Sequence, residues 1–529
     1  MHVETLIEML SAHLREGNEA GAQCFRGDRG WERRTYAQMH ALVLRTAHRL
    51  RALGAGDGGC VAIVSRTRPD WTIVDLAAAL IGAPVIPVYP TASQAQFDAI
   101  ERATSPALIV VDRDDLRSAA PQFRLGNRDG DLGDLERPTL APDEKAEIEV
   151  IAASVRPSDT YSIVFSSGST GEPKGCVLSN SHFAAVVRMA GAVESSGPEG
   201  AEHRERAFVY LPLAHVSARL QQLTTFSLGG ELLYGSGGTA EILAQITELQ
   251  PTYVPGVPRL FESAYARVGG SGESLREVFG TRLRYALSGG APMDEEVQGA
   301  YERAGITLVE GYGLTETSAA LALSAPHDRR SGSVGRALPG VELRIADDGE
   351  ILARGANVFE RYLGAQRATA EAFVDGWFRT GDLGWIDDDG FLFVTGRKKN
   401  LIVTSTGKNV APEPIENQLR IALGVADVIV VGDRRPFLAA VVFAPEPLDE
   451  AEVIAAIRRL NAEVSPPERV RKVVIIAIDL SGETGALTAS GKIVRPVLLE
   501  RFAHVVDALY DGTHPRALDV HPSPVPVLN

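Results

Sequence analysis

Short, nearly continuous apolar runs alternate with longer amphipathic stretches over the first two thirds of the chain. Residues 36–53 and 294–305 have apolar positions at helical spacing. The apolar runs are rich in β-branched residues and include CVAIVS, APVIPVY, PALIVVD, YSIVFSS, AFVYLPL and TLVEGYG. Runs with so few polar positions are typical of strands buried on both faces. The pattern therefore predicts an α/β fold, with a large N-terminal body of stacked, mostly parallel sheets.

The pattern changes after about residue 341. Short alternating runs separated by DDG turns (VELRIA, EILARG, GFLFVTG) predict a small antiparallel barrel, and strand and helix patterns then return. We predict a body over residues 1–395, a basic hinge GRKKN over 396–400, and a small mobile α/β lid over 401–512. Residues 513–529 are rich in proline without periodicity, so we predict a loosely held tail there.

Composition narrows the class of protein. The 529 residues carry 53 basic and 68 acidic side chains, a formal charge of −15, which disfavours binding to nucleic acid or anionic lipid. The longest apolar stretch, residues 75–89, is broken by glycine and prolines, so no membrane insertion is expected. Three distant cysteines without a CxxC pair argue against a disulfide framework and favour a reducing cytoplasm.

One segment suits the binding of phosphate groups. An apolar strand from Tyr161 leads into a Ser/Gly/Thr-rich stretch that ends in Pro-Lys-Gly. Glycines let successive N–H groups turn towards an anion, while hydroxyl groups add donors and a lysine adds positive charge. The lysine spacing differs from that of a GxxxxGK[ST] loop, and a flexible linker is the alternative. The candidate residues are Ser167, Gly168, Ser169, Thr170, Gly171 and Lys174.

A second polar cluster follows another apolar strand, in VEGYGLTETS over residues 309–318. Tyr312 offers a ring face for a base, Thr315 a donor for a phosphate, and Glu316 a hard oxygen ligand for Mg²⁺. Ligands of open α/β sheets bind at such carboxyl ends of strands. An exposed polar loop without a ligand is the alternative interpretation.

Five segments fall in the order typical of one family. The chain resembles the adenylate-forming superfamily of acyl-CoA synthetases, nonribosomal peptide adenylation domains and luciferases. SGGAPM, EGYGLTET, LPLAHV and TSTGKNVAP are most similar to the long-chain fatty acyl-CoA synthetase branch. The segments that carry the resemblance are residues 161–179, 309–317, 379–392, 396–416 and 487–495.

The resemblance implies a nucleotide site in the body. The segment from Ser167 to Lys174 would hold the β- and γ-phosphates of ATP, Glu316 would bind Mg²⁺, and Thr315 would contact the α-phosphate. Tyr312 and the turn that contains Gly290 and Ala291 would enclose the adenine.

The resemblance also implies roles for residues further along the chain. Asp382 would accept hydrogen bonds from the ribose, and Arg397 would reach the ribose and the α-phosphate. Lys492 would neutralise charge on the α-phosphate during adenylation, although a lone lysine is more often a solvated surface residue. Lys399 matches the hinge about which the lid rotates. His215 in LPLAHV would lie near the substrate carboxylate, the alternative being a satisfied core histidine.

The implied reaction is ATP- and Mg²⁺-dependent formation of an acyl-adenylate from a small-molecule carboxylic acid, with pyrophosphate released. Transfer of the acyl group to CoA is the preferred second step, and transfer to an amine, as in amide synthetases of natural-product pathways, is the main alternative. A carrier-protein acceptor, a catalytically inactive nucleotide-binding regulator and a homodimer are left open. The chain is shortened at residues 269–282 and has Ser217 where the family often has an aromatic residue, which predicts a remodelled acid pocket.

Overall fold

A computed structural model describes residues 4–136, 139–166, 174–194, 204–269, 272–480, 485–487 and 493–520. Within these ranges the chain forms sixteen α-helices and twenty-seven strands, together with short 3-10 turns. The helices are α1 (Leu6–Leu10), α2 (Tyr36–Ala52), α3 (Pro69–Leu80), α4 (Gln94–Thr104), α5 (Pro142–Ser154), α6 (Asn180–Glu194), α7 (Val216–Ser227), α8 (Thr239–Leu249), α9 (Pro258–Arg267), α10 (Gly272–Phe279), α11 (Glu295–Arg303), α12 (Gln366–Glu371), α13 (Pro412–Leu423), α14 (Glu450–Glu463), α15 (Arg495–Arg501) and α16 (Ala503–Asp511).

The strands are mostly short. They are β1 (Gly21–Gly27), β2 (Gly30–Thr35), β3 (Val61–Val64), β4 (Val85–Val88), β5 (Leu108–Val111), β6 (Gln122–Arg124), β7 (Thr160–Ser166), β8 (Lys174–Ser179), β9 (Arg206–Val209), β10 (Glu231–Tyr234), β11 (Tyr253–Gly256), β12 (Tyr285–Gly289), β13 (Thr307–Tyr312), β14 (Ala322–Leu323), β15 (Arg336–Ala337), β16 (Glu342–Ile345), β17 (Glu350–Arg354), β18 (Arg361–Tyr362), β19 (Phe373–Val374), β20 (Trp377–Ile386), β21 (Leu392–Arg397), β22 (Ile402–Val403), β23 (Asn409–Val410), β24 (Asp427–Val431), β25 (Leu438–Phe443), β26 (Val470–Ile476) and β27 (Leu518–Asp519).

Two large sheets have parallel centres. The nine-stranded sheet has the order β15-β14-β13-β12-β11-β9-β10-β1-β2, and its strands from β13 to β1 are parallel. The seven-stranded sheet has the order β18-β8-β7-β4-β3-β5-β6 and is parallel from β7 to β6. The central strands β3, β4 and β5 are completely buried, as their continuous apolar sequences predict.

Side-chain caps set the starts of several helices between these strands. Thr35 accepts a hydrogen bond from the backbone N–H of Gln38 at the start of α2. Ser93 caps α4 in the same way, and the carboxylate of Asp294 caps α11. These caps satisfy backbone donors that have no partner within the helix.

The chain divides into two compact units. The first comprises Met1–Arg344, Leu352–Thr380 and Ile386–Leu392, and the second comprises Ile345–Ile351, Gly381–Trp385 and Phe393–Asn529. A five-stranded sheet has the order β16-β17-β20-β19, with β21 beside β20.

The second unit contains an α/β layer built on a four-stranded sheet of order β24-β25-β26-β27. The predicted fold class is confirmed: large, mostly parallel N-terminal sheets and a C-terminal α/β domain are both present. Among the described residues, no helix combines the length and the apolar character needed to cross a bilayer.

The structure differs from the prediction of a loose tail as far as Val520. Leu518 pairs with Val473 through β27 and β26, and Val520 is fully buried. The backbone of Val520 also bonds to that of Arg471 at 2.9 Å. The apolar residues Leu518 and Val520 flank Asp519, so this short segment has the alternation of an edge strand, which the prolines around it obscured.

Candidate functional site

Three of the predicted motifs leave the same edge of the nine-stranded sheet. β9, β11, β12 and β13 are parallel neighbours, so their carboxyl ends meet at one edge. Gly289 at the end of β12 is paired with Gly311 near the end of β13, which places the SGGAP turn with Gly290 and Ala291 beside the turn that follows Tyr312. The LPLAHV segment with His215 follows β9 at this edge.

The turn after β13 is fixed by a glycine and by one buried asparagine. A Cβ atom on Gly313 would lie 2.1 Å from the carbonyl oxygen of Ala319, so only glycine fits there. Asn357 is fully buried and donates to the carbonyl oxygen of Thr317 at 3.2 Å. The backbone carbonyl oxygen of Asn357 accepts a hydrogen bond from the hydroxyl of Ser318 at 2.9 Å. These contacts hold the 3-10 turn that contains Thr315 and Glu316.

Tyr362 connects the predicted carboxylate to the predicted lysine. Its hydroxyl donates to Oε1 of Glu316 at 2.9 Å, and Nζ of Lys174 lies 5.4 Å from the centre of its ring. Burial and the Glu316 carboxylate raise the pKa of Tyr362, so the phenol stays protonated and remains a donor. The backbone N–H of Phe359 also donates to the carbonyl oxygen of Glu316 at 2.8 Å.

Tyr362 and Asn357 are functional-site residues that the sequence analysis missed. Tyr362 lies on β18, which pairs with β8 through Tyr362 and Cys176. The signal that marks them is the short run NVFERYL, in which apolar and aromatic residues surround two charges. Such a run predicts an edge strand and says nothing of its partner, so the contact with Glu316 appears only in three dimensions.

The candidate phosphate-binding segment connects two antiparallel strands. β7 and β8 form a hairpin in which Ser166 lies opposite Lys174. The predicted residues Ser167, Gly168, Ser169, Thr170 and Gly171 lie outside the described residues, as does Lys492. Lys174, at the start of β8, is described and half-buried.

His215 caps helix α7. Its Nδ1 accepts the backbone N–H of Ser217 at 3.2 Å and lies 2.8 Å from the Ser217 hydroxyl. Because a backbone N–H only donates, Nδ1 carries no proton in this arrangement, and the neutral ring carries its proton on Nε2. The motif thus places a fixed imidazole tautomer at the carboxyl edge of the sheet.

Two further predicted residues form an ion pair in the second unit. Nε of Arg397 lies 2.7 Å from Oδ1 of Asp382, whose side chain is buried while that of Arg397 is exposed. Gly381, next to Asp382, donates its backbone N–H to Glu350 at 3.1 Å. A buried carboxylate paired with an exposed guanidinium offers both an acceptor for hydroxyl groups and a positive charge for phosphate.

The neighbouring lysines have different surroundings. Lys398 binds the carboxylate of Glu350 at 2.9 Å and that of Asp348 at 2.5 Å. Burial and the Arg397 guanidinium lower the pKa of Lys399. Lys399 lies in a 3-10 turn between β21 and β22, and its role as a hinge stays a prediction.

Glu316 fits a magnesium ion that is held mainly by a nucleotide. The described residues contain no group of three or more His, Cys, Asp or Glu side chains able to hold a metal. Mg²⁺ in nucleotide sites is commonly bound by one or two carboxylates together with phosphate oxygens and water. One oxygen of Glu316 accepts the Tyr362 hydroxyl, and an ionised carboxylate has further acceptor positions.

Comparison with known proteins shows the family to which the chain is similar. A family model described as AMP-binding enzyme matches residues 13–363, and one described as AMP-binding enzyme C-terminal domain matches residues 399–514. The chain is 34% identical to the long-chain-fatty-acid–CoA ligase FadD15 of Mycobacterium bovis, over 91% of this chain and 93% of the relative. It is 27% identical to the long-chain-fatty-acid–CoA ligase ACSBG1 of Bos taurus, over 96% of this chain and 85% of that protein.

A solved structure is similar over almost the whole chain. The ATP-bound crystal structure of MatB from Rhodopseudomonas palustris aligns with a TM-score of 0.76 at 24% identity. The alignment covers 95% of this chain and 99% of that one. At this identity the similarity establishes the fold.

Proposed function

The chain belongs to the AMP-binding enzyme family, as its motifs predict, and on that premise we propose that it joins a carboxylic acid to coenzyme A. It is an ATP-dependent, AMP-forming ligase. In the proposed first step a carboxylate oxygen attacks the α-phosphorus of ATP, and pyrophosphate leaves. In the second step the CoA thiol attacks the acyl carbon and AMP leaves, while the thiol proton passes to solvent. The names of the similar ligases support CoA as the acceptor.

The observation that carries the proposal is the contact of Tyr362 with both Glu316 and Lys174 at the edge where β12 and β13 end. A carboxylate and an ammonium group on one tyrosine suit a polyphosphate and its counterion. We assign Glu316 to Mg²⁺, which when bound would offset phosphate charge, and Lys174 to the β- and γ-phosphates. Thr315, from the same turn, would donate to the α-phosphate.

The adenine base and the ribose of ATP are assigned to the remaining predicted residues. Tyr312 and the turn of Gly290 and Ala291, held side by side by the pairing of β12 with β13, would enclose the adenine. Asp382 would accept the ribose hydroxyls, and its partner Arg397 would donate to the α-phosphate. Ser167, Gly168, Ser169, Thr170 and Gly171 would supply N–H and hydroxyl donors to the phosphates.

His215 is assigned to the acid. With Nδ1 occupied by Ser217, the Nε2–H group is a donor suited to a substrate carboxylate oxygen. All three cysteines lie among the described residues, are buried and form no disulfide, which supports our placement of the protein in the cytoplasm.

The test of adenylation is exchange of labelled pyrophosphate into ATP in the presence of candidate acids. We expect exchange that needs both Mg²⁺ and an acid. Lys492→Ala should abolish most of this exchange while leaving acyl transfer from preformed acyl-adenylate intact, and Lys399→Pro should have the opposite effect. Exchange that proceeds without an acid, or equal loss of both steps in Lys492→Ala, would contradict the assignments.

The acceptor is tested separately by mass spectrometry of the products. With ATP and a competent acid, we expect an acyl thioester when CoA is present and no amide from a panel of primary amines. Amide formation in the absence of CoA would establish the alternative of an amide synthetase.

A further inference from the structure

Helix α7 has a polar stripe in the interior of the first unit. Ser217, Gln221 and Thr224 are spaced four and three residues apart, so they lie on one face of the helix. Gln221 is 9% exposed and Thr224 is 2% exposed. The stripe begins beside His215, whose Nδ1 contacts the Ser217 hydroxyl, and leads away from the carboxyl edge of the sheet.

Two polar atoms of this stripe have no hydrogen-bond partner. Within the part of the chain that the structure describes, neither Oε1 of Gln221 nor Oγ1 of Thr224 makes a hydrogen bond. Thr225, the next residue, bonds its hydroxyl to the carbonyl oxygen of Gln221 at 2.8 Å. Buried polar atoms nearly always have partners, so unpartnered atoms on one face point to a polar group supplied from outside the protein.

A distal cluster lies beyond the stripe and consists of Glu194, Tyr253 and Tyr285. Tyr253 and Tyr285 are paired neighbours on β11 and β12, and their rings stack with centres 4.6 Å apart. Tyr253 is 1% exposed, and its hydroxyl has no partner among the described residues. The hydroxyl of Tyr285 likewise has no hydrogen-bond partner among the described residues, and Glu194 lies close enough to Tyr285 to interact with it electrostatically.

Contacts between α6 and α7 connect the stripe to the distal cluster. A Cβ atom on Gly191 would lie 3.8 Å from the methyl group of Thr224, so the end of α6 packs on this face of α7. Glu194 follows Gly191 by three residues and therefore lies on the same side of α6. The polar atoms thus continue from α7 through α6 to the two tyrosines.

Helix α7 and strand β12, which would flank the acid, extend over similar distances from the carboxyl edge of the sheet. From His215 to Thr224 the chain rises nine residues along a helix, which is about 14 Å. From Gly289 back to Tyr285 it covers four residues of a strand, which is about 13 Å. An acid with its carboxylate near His215 would therefore need a chain of this length to bring its far end to the distal cluster.

The distal cluster carries no net charge and therefore favours a neutral group of the substrate. Burial and the carboxylate of Glu205 raise the pKa of Glu194 to about 8, so Glu194 is protonated at neutral pH and both donates and accepts. Glu205 itself is paired with Arg284, which offsets its charge. The cluster therefore offers hydroxyl and carboxyl groups without net charge.

We propose that the acid substrate carries a hydroxyl group at the end remote from its carboxylate. Glu194, Tyr253 and Tyr285 hydrogen-bond that hydroxyl, and Gln221 and Thr224 line the path to it. This inference rests on the proposed ligase function and names its substrate class.

The test compares acids of equal chain length that end in a methyl, a hydroxyl or an amino group. Pyrophosphate exchange gives kcat/KM for each acid. At the chain length that reaches the distal cluster, we expect the hydroxy acid to be favoured over the methyl-ended acid by about tenfold, the value of one good hydrogen bond. The proposal is overturned by a preference for methyl-ended acids at every chain length, or by a preference for amino-ended acids. In either case, acid-dependent exchange would still support the ligase function.

Single substitutions test which residues give the preference for the hydroxy acid. Tyr253→Phe should lower the preference for the hydroxy acid over the methyl-ended acid about threefold to tenfold, because it removes one of the groups that bind the terminal hydroxyl. The matched controls are Thr225→Val and Tyr301→Phe, whose hydroxyls bond within the protein, and they should keep the preference. An unchanged preference in Tyr253→Phe overturns the proposal, and absence of exchange with every acid overturns the ligase function itself.

Thermal unfolding shows that the variants still fold. Removing an unpartnered buried hydroxyl leaves stability unchanged or raises it, so Tyr253→Phe should unfold no earlier than the wild type. A lowered melting temperature of Tyr253→Phe would show that its hydroxyl has a protein partner, which also counts against the proposal.

Discussion

The two sides of helix α7 carry polar groups under opposite conditions. On one side Arg219, fully buried, donates to Asp75 at 2.6 Å and to Ser162 at 2.7 Å, and its guanidinium lies 4.5 Å from the ring centre of Tyr161. On the other side Gln221 and Thr224 are equally buried but have unpartnered oxygens within the described chain. The difference teaches that burial alone does not mark function. The partnered Arg219 holds the fold together, whereas the oxygens of Gln221 and Thr224 are the ones that we propose to face a ligand.

The largest loss of stability is expected at the buried pair of Arg219 and Asp75. Asp75→Ala would leave Arg219 as an uncompensated buried charge and would remove the acceptor of the Tyr161 hydroxyl. We expect a loss of about 3–5 kcal/mol in the free energy of unfolding, measured by urea denaturation. The control Glu371→Ala breaks an exposed pair with Arg367 and should cost no more than about 0.5 kcal/mol. Equal losses in the two variants would show that the buried pair is not structural.

Glu316→Gln should leave stability nearly unchanged and should strongly lower activity. The amide still accepts the Tyr362 hydroxyl, so the free energy of unfolding should change by less than about 1 kcal/mol. The lost negative charge should lower acid-dependent pyrophosphate exchange by about 100-fold to 1000-fold, as the removal of other electrostatic groups does. Glu302→Gln, at an exposed ion pair with Arg329, is the matched control for exchange. Normal exchange in Glu316→Gln would remove Glu316 from the site.

Glu310 is an intermediate case, since it is buried and accepts a hydrogen bond from the backbone N–H of Met293 at 3.2 Å. Burial raises the pKa of Glu310 from 4.5 to about 7. The folded state therefore binds the proton more tightly than the unfolded state, and stability should fall as pH rises from about 4.5 to about 7. Relative to the wild type, Glu310→Gln should gain up to about 3 kcal/mol between these limits. A stability difference independent of pH, by urea denaturation, would contradict the raised pKa.

The smallest expected effect on stability is the difference between substitutions of two adjacent threonines of α7. Thr225→Val removes a hydroxyl that bonds to Gln221, and we expect a loss of about 1 kcal/mol in the free energy of unfolding. Thr224→Val removes an unpartnered hydroxyl and should be neutral or stabilising. Equal losses in both variants would mean that Thr224 has a partner in the folded protein. Calorimetric melting of the two proteins without ligand resolves the difference.

Much of the fold could be predicted because its signals are local. The apolar runs at Val61, Val85 and Leu108 became buried parallel strands, and the turns after β12 and β13 meet because parallel strands present their carboxyl ends together. Periodicity and turn composition are sufficient for such predictions.

The rest depends on contacts that are distant in sequence. Tyr362 lies 46 residues from Glu316 and binds it only because β18 joins β8 at the edge of the other large sheet. The missing partners of Gln221 and Tyr253 are equally invisible in a sequence, since an apolar run does not reveal which hydroxyls remain unpaired after folding. The edge strand at Leu518 was obscured by neighbouring prolines.

Helix α7 separates two tasks that an engineer would wish to change independently. Its first turn, capped by His215, lies at the edge where we propose that the bonds are made, and its last residue, Ser227, is about 18 Å from His215, from twelve residues of rise. If the proposed acid site is right, side chains near the last turn are open to redesign for new acids without changes to the residues assigned to activation. In the same way, natural variation at that end offers a route by which one scaffold acquires different metabolic tasks.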